Sequence, residues 1–265
     1  MQSHELCYAV STAPDADYRF GGTLIDIGDV FLHGRTEEQA VNALGNTHGS
    51  IECCNGQWYV FYHRQTNRTN YSRQGCAEKI TIASDGSIAQ AAVSSCGLNQ
   101  GPLQGEGFYP AFICCHLTAE KGAAFSHPDV MKMDYPYLTQ DCGDLEPEDV
   151  RMEHDSTDPV QYVRNIRNGA TVGFKSFAFS DLTEIEFALR GSGSGAFEVR
   201  TQLQGEICGS IPVEGLCASW KEKRGQVNIP DGVSPLYFTY RGSDSVDLKG
   251  FRLVCGNSRK KVSDK

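Results

Sequence analysis

The chain has 265 residues, 40% of them hydrophobic and 22% charged, with a formal net charge of −9. That length supports one large or two small domains with cores of useful size, and that charge argues against a nucleic-acid partner, whose phosphates call for a basic surface. No apolar run reaches the roughly 18 residues of a membrane span, so no membrane partner is expected; residues 1–11 lack the apolar core of a secretory signal, so a cytoplasmic location is expected.

Short strands separated by Gly, Asn, Asp and Pro are the dominant pattern. Residues 36–43 are the one helical stretch, a turn or two, with Glu37 and Glu38 where a helix N-terminus favours acids. Residues 51–54 and 57–62 flank Asn55-Gly56, the signature of a tight hairpin. A second hairpin is expected over 79–83 and 87–90 around Asp85-Gly86, and a strand over 109–117. A boundary falls at 122–135, and the acidic, apolar-poor stretch 141–158 reads as a loop. Strands resume at 171–179, 184–189, 196–202, 227–229, 236–241 and 250–254, a spacing that suggests a β-sandwich. Phe174, Phe177 and Phe179 have mixed spacing, as if both faces of that strand were covered. Gly191–Gly195 is a flexible turn and lacks the strand, helix and lysine of a phosphate loop. Residues 257–265 carry Arg259, Lys260, Lys261 and Lys265 and read as a solvated basic tail.

Eleven cysteines are present, with adjacent pairs at Cys53–Cys54 and Cys114–Cys115. No two are spaced as C-x-x-C, which argues against a zinc ribbon or a thioredoxin-like centre. Neighbours in a strand face opposite ways, so neither pair is placed to ligate one metal. Small buried thiols in a reducing compartment are the expectation.

The most chemical segment is Gly45-Asn-Thr-His-Gly-Ser50, followed by Trp58-Tyr-Val-Phe-Tyr-His-Arg64 and Tyr71-Ser-Arg-Gln-Gly-Cys-Ala77. A histidine between small residues, just before a strand, can face a cavity without crowding it. Trp58, Tyr59 and Phe61 read as strand core. His63 and Arg64 fit either a structural or a site role.

These strings, with LCYAVSTAPDADYRFGGTLI before them and GFYPAFICCHL after them, resemble the last blades of the five-bladed propeller of glycoside hydrolase family 43, the arabinofuranosidase and xylosidase type. The resemblance implies an all-β fold: residues 1–120 as the C-terminal part of a propeller, 121–135 as a connector, and 136–256 as a jelly-roll-like sandwich similar to carbohydrate-binding module family 6. It implies that His48 points into the axial channel and supports a cation there, Ca2+ or another, through water. It implies that Arg73 is an active-site arginine, which would hold a carboxylate ionised or bind a sugar hydroxyl; a plain structural salt bridge is the alternative. Trp220 matches one ring of the sugar-stacking aromatic pair of such modules. Thr171 stands at the other position, and Asp247-Leu248-Lys249 replaces their asparagine, so the resemblance favours a structural lid over a sugar-binding module.

Inverting glycosidases need a base and an acid set roughly 6.5–9.5 Å apart. The family's two aspartates and its acid glutamate match no position in this chain, which implies that no catalytic residue lies in it. Glu52, near His48, is the weak candidate left by the residues alone. The implied ligand is a plant cell-wall oligosaccharide or polysaccharide rich in arabinose or xylose, and the implied partner is the missing N-terminal blades. A non-catalytic carbohydrate-binding or structural β-sandwich protein is the alternative function.

Overall fold

The computed structural model describes residues 4–69, 71–124, 134–141 and 160–256. Most of the expected connector, the acidic loop and the basic tail fall outside these residues.

Among the described residues the regular elements are strands and short 3-10 turns. The N-terminal part holds two small antiparallel sheets. Strands β1 (Glu5–Val10) and β2 (Arg19–Asp26) form one; β3 (Ser50–Cys54), β4 (Gln57–Gln65) and β5 (Arg73–Ile80) form the other, in sequence order. The β3–β4 turn uses Asn55 and Gly56, both at positive φ (52° and 79°), as its two-residue geometry requires. Leu24, Ile25, Ile27, Val41, Val60 and Ile80 form the buried core between the two sheets.

The remaining strands are β6 (Leu103–Gln104), β7 (Gly107–Pro110), β8 (His116–Thr118), β9 (Tyr137–Gln140), β10 (Gln161–Ile166), β11 (Thr171–Phe179), β12 (Leu182–Gly191), β13 (Ser194–Arg200), β14 (Gly209–Val213), β15 (Lys221–Gln226), β16 (Gly232–Ser243) and β17 (Val246–Cys255). They make a two-sheet sandwich. One sheet runs β15-β12-β17-β10-β9 with β7 also on β17; the other runs β14-β13-β16-β11-β6 with β8 also on β11. Residues alternate between faces along a strand, so Ile185, Phe187 and Leu189 of β12 meet Leu236, Phe238 and Tyr240 of β16 in one fully buried core. Truncating such a ring, Phe238 for example, costs about 3–5 kcal/mol. The mixed spacing of Phe174, Phe177 and Phe179 has its explanation in a bulge: the β11–β16 register shifts between Phe174 and Phe177, and all three rings stay inside.

Several expectations are corrected. Residues 109–117 are not one strand, because the 3-10 turn Ala111–Ile113 separates β7 from β8. Residues 36–43 contain only the 3-10 turn Glu37–Gln39, closed by a capping box between Thr36 and Gln39. The hairpin expected around Asp85-Gly86 is reduced to a single bridge, Ile82 to Ile88, and residues 227–229 to one bridge at Val227. Strands β6, β7 and β8 extend the sandwich sheets, so sheet pairing crosses the boundary expected at residue 120. Ten cysteines are described and none is bridged; Cys114, Cys115 and Cys255 are buried, five are half-buried, and Cys53 and Cys217 are exposed. Among the described residues no helix is long and apolar enough to cross a membrane.

Candidate functional site

The histidine motif ends where β3 begins. Gly49 presses against β4: a Cβ there would lie 1.8 Å from the Phe61 carbonyl oxygen, so only glycine fits after His48. This close approach brings His48 beside His63 of β4, with ring centroids 4.3 Å apart and nearly perpendicular. Arg73 of β5 donates from Nε to His63 Nε2 at 3.0 Å. That bond makes Nε2 the acceptor and places the His63 proton on Nδ1, so the His48 N–H, 3.4 Å from Nδ1, is a contact and not a second donor to the ring. Thr47 Oγ donates to the His63 carbonyl at 2.8 Å and fixes the loop. Burial, reinforced by His48 and Arg73, holds the His63 pKa below its ordinary value. His63 therefore stays neutral, buried between two exposed side chains, His48 and Arg73.

The structure thus brings the two expected residues, His48 and Arg73, to one place, joined through His63. Arg73 is engaged with a histidine. The donor set does not fit a directly bound Ca2+, which takes 6–8 oxygen ligands: two imidazoles and a guanidinium surround the spot, with Asn46 Oδ1 3.4 Å from His63 Nε2. Among the described residues one group, His4, Glu5 and Asp26, has ligand atoms close enough for a metal. Two of the three are already committed to each other and to the backbone, since Asp26 Oδ2 meets His4 Nδ1 at 2.5 Å and Asp26 Oδ1 accepts from the Gly28 and Val30 N–H groups.

The opposite face of the β4–β5 pair carries Tyr62, Arg64, Gln74, Cys76 and Glu78, which line a cavity of about 470 Å³ toward the sandwich. Arg64 is structural: it donates to Gln74 Oε1 at 2.8 Å, to the Cys114 carbonyl at 2.7 Å and to the Phe112 carbonyl at 2.8 Å. Burial pushes the Glu78 pKa up to about 7, against donors from the Ser94 hydroxyl, the Ser94 N–H and the Tyr62 hydroxyl.

Glu52 is exposed on β3 and accepts from the neighbouring Cys53 N–H at 2.9 Å. Tyr59 is core, whereas Trp58 remains 37% exposed. Trp220 is not a free platform: the Arg190 guanidinium sits 4.4 Å from its ring centroid, and Tyr162 packs edge-on at 5.3 Å. Thr171 lies on the other sheet, hydrogen-bonded to Thr239 at 2.9 Å, so it and Trp220 do not face one cleft. His63 and the Arg190–Tyr162–Trp220 stack escape a linear reading because both arise across strands.

No family model matches the chain. Over 255 residues it is 42% identical to a protein of Thermoclostridium stercorarium described as "Xylosidase/arabinosidase", covering 94% of this chain and 51% of that one. A glycoside hydrolase family 43 arabinoxylan arabinofuranohydrolase from Bacillus subtilis, solved with cellotetraose, superposes with a TM-score of 0.50 at 19% identity, over 95% of this chain and 48% of the other. A beta-1,3-glucan-binding family 6 module from Bacillus halodurans has a TM-score of 0.43 at 17% identity, over 58% of this chain and 98% of the module. The chain spans about half the length of the hydrolases it matches.

The chain's homologues are therefore glycoside hydrolases, and its fold is all-β: part of a five-bladed propeller followed by a β-sandwich. In sequence it is similar to a xylosidase/arabinosidase, and in fold to a family 43 arabinoxylan arabinofuranohydrolase.

Proposed function

We propose that this chain is part of an inverting glycoside hydrolase acting on arabinose- or xylose-containing plant glycans, and that it supplies the sugar-positioning side of the site. The observation that carries this reading is the cluster in which exposed His48 and Arg73 meet over buried His63. Two exposed donors held by a neutral buried histidine suit a sugar's hydroxyl groups and a neighbouring carboxylate. They do not make an acid–base pair, which needs two carboxyl groups across the scissile bond. Those carboxyl groups belong, in this reading, to the half of the relative that the chain does not match, and a water-mediated cation near His48 is compatible with them only if they provide its oxygen ligands.

A chimaera tests this. The chain replaces the matching half of the Thermoclostridium stercorarium protein, and turnover is measured on aryl arabinofuranoside and xyloside. Retained hydrolysis, with turnover reduced about 10²-fold or more in Arg73→Ala, is expected. A folded chimaera whose activity ignores both Arg73→Ala and His48→Ala contradicts the reading.

A further inference from the structure

A second cleft, of about 720 Å³, lies between the turn carrying Arg35 and the outer face of the sandwich sheet β13-β16-β11-β8. Its size is that of a small-molecule site, roughly 300–1,000 Å³, but its lining is polar and holds no Trp, Tyr or Phe among the described residues. The floor is a row of hydroxyls on three neighbouring strands: Thr118 pairs with Thr171, and Thr171 with Thr239. Two further arginines border the cleft and both are compensated, Arg200 and Arg241 meeting Glu198 at 2.9 Å and 3.2 Å.

Arg35 differs from them. Its Nη1 donates to the Gln39 carbonyl at 2.9 Å, but its buried Nε has no hydrogen-bond partner, and no carboxylate of the described residues pairs with it. A buried donor without an acceptor is unfavourable, and a guanidinium fork suits a carboxylate. His116, which lines the same cleft, is kept neutral by burial with help from Lys175 and Arg35, and its Nε2 meets the Thr118 hydroxyl at 3.1 Å, so it holds the threonine row without adding charge. Glu38 and Glu120 are exposed, where solvent screens them.

We propose that this cleft binds a carboxylate-bearing sugar, a hexuronic acid unit, with Arg35 meeting the carboxylate and the threonine row meeting the hydroxyls. The choice of a sugar rests on the reading above. The test measures binding by the chain alone, so loss of hydrolysis in the chimaera and loss of this site are separate results.

Purified chain is titrated calorimetrically with glucuronosyl-xylotriose and with xylotriose. The acidic sugar is expected to bind about tenfold more tightly, the difference one charge-assisted pair makes, and the gap should shrink at 0.5 M salt by screening (about 4 Å Debye length). Arg35→Gln should abolish the gap. Arg35→Lys, which keeps the charge and loses the fork, should remove most of it and guards against a folding defect in the first variant. Equal affinities, no binding of either sugar, or a gap unchanged in both variants overturns the proposal.

Discussion

Lys175 of the sandwich places its Nζ 3.0 Å from Asp29 Oδ2 of the N-terminal part, two residues 146 apart in sequence. Asp29 is 3% exposed, and its second oxygen accepts from the Val93 N–H at 2.7 Å. The Lys175 carbonyl also accepts from the Ser95 N–H, so one residue ties the two parts together through both backbone and charge. Removing one partner leaves the other charge buried, which costs about 3–5 kcal/mol. Lys175→Met should lower chemical-denaturation stability by that amount, and adding Asp29→Asn should recover much of it. Purely additive losses would mean the pair does not hold the interface.

Glu78 sets a pH dependence. Its folded pKa of about 7 lies above the ordinary 4.5, so the folded state binds its proton more tightly than the unfolded chain. Stability from this group is therefore full below about pH 4.5, falls as pH rises to about 7, and is flat beyond; the penalty is about 3 kcal/mol at most. Glu78→Gln keeps an acceptor for Ser94 and Tyr62 without the charge. Its melting temperature should gain on the parent between pH 5 and pH 8. A difference that does not change with pH would show that Glu78 is not buried as described.

The Trp220 ring is occupied by Arg190, which Asp247 holds at 3.1 Å. One partly covered ring gives little net affinity once ordering costs are subtracted. Xylo- and arabino-oligosaccharides should therefore shift tryptophan fluorescence only weakly, and Trp220→Ala should reduce stability by about 0.5–2 kcal/mol through the lost cation–π contact. Low-micromolar binding abolished by Trp220→Ala would contradict this.

Much of the fold is legible in the residues. Asn55-Gly56 marks its hairpin, and the alternation in β12, β13 and β16 marks the sandwich core. β15 is illegible because Lys221–Gln226 is polar throughout; it is an edge strand, paired only to β12, where charge guards against sheet extension. β6 to β8 fall with the propeller in the family resemblance, whereas their hydrogen bonds run to β11 and β17. At the site, His48 and Arg73 follow from the motif. The role of His63 does not, since it depends on register: His63 pairs with Gly75 and Gln65 with Arg73, which no linear spacing reveals. The Arg35 cleft is likewise built from segments brought together only by folding.

The most direct measurement is the hydrolysis of p-nitrophenyl arabinofuranoside and xyloside by the purified chain alone. His48, His63 and Arg73 can position and polarise, but a missing general acid or base is worth about 10²–10⁴-fold each. Rates within a few-fold of buffer are expected for the chain alone, rising when the unmatched half of the Thermoclostridium stercorarium relative is added. Robust turnover by the chain alone, lost in Glu52→Gln, would contradict it and make Glu52 catalytic.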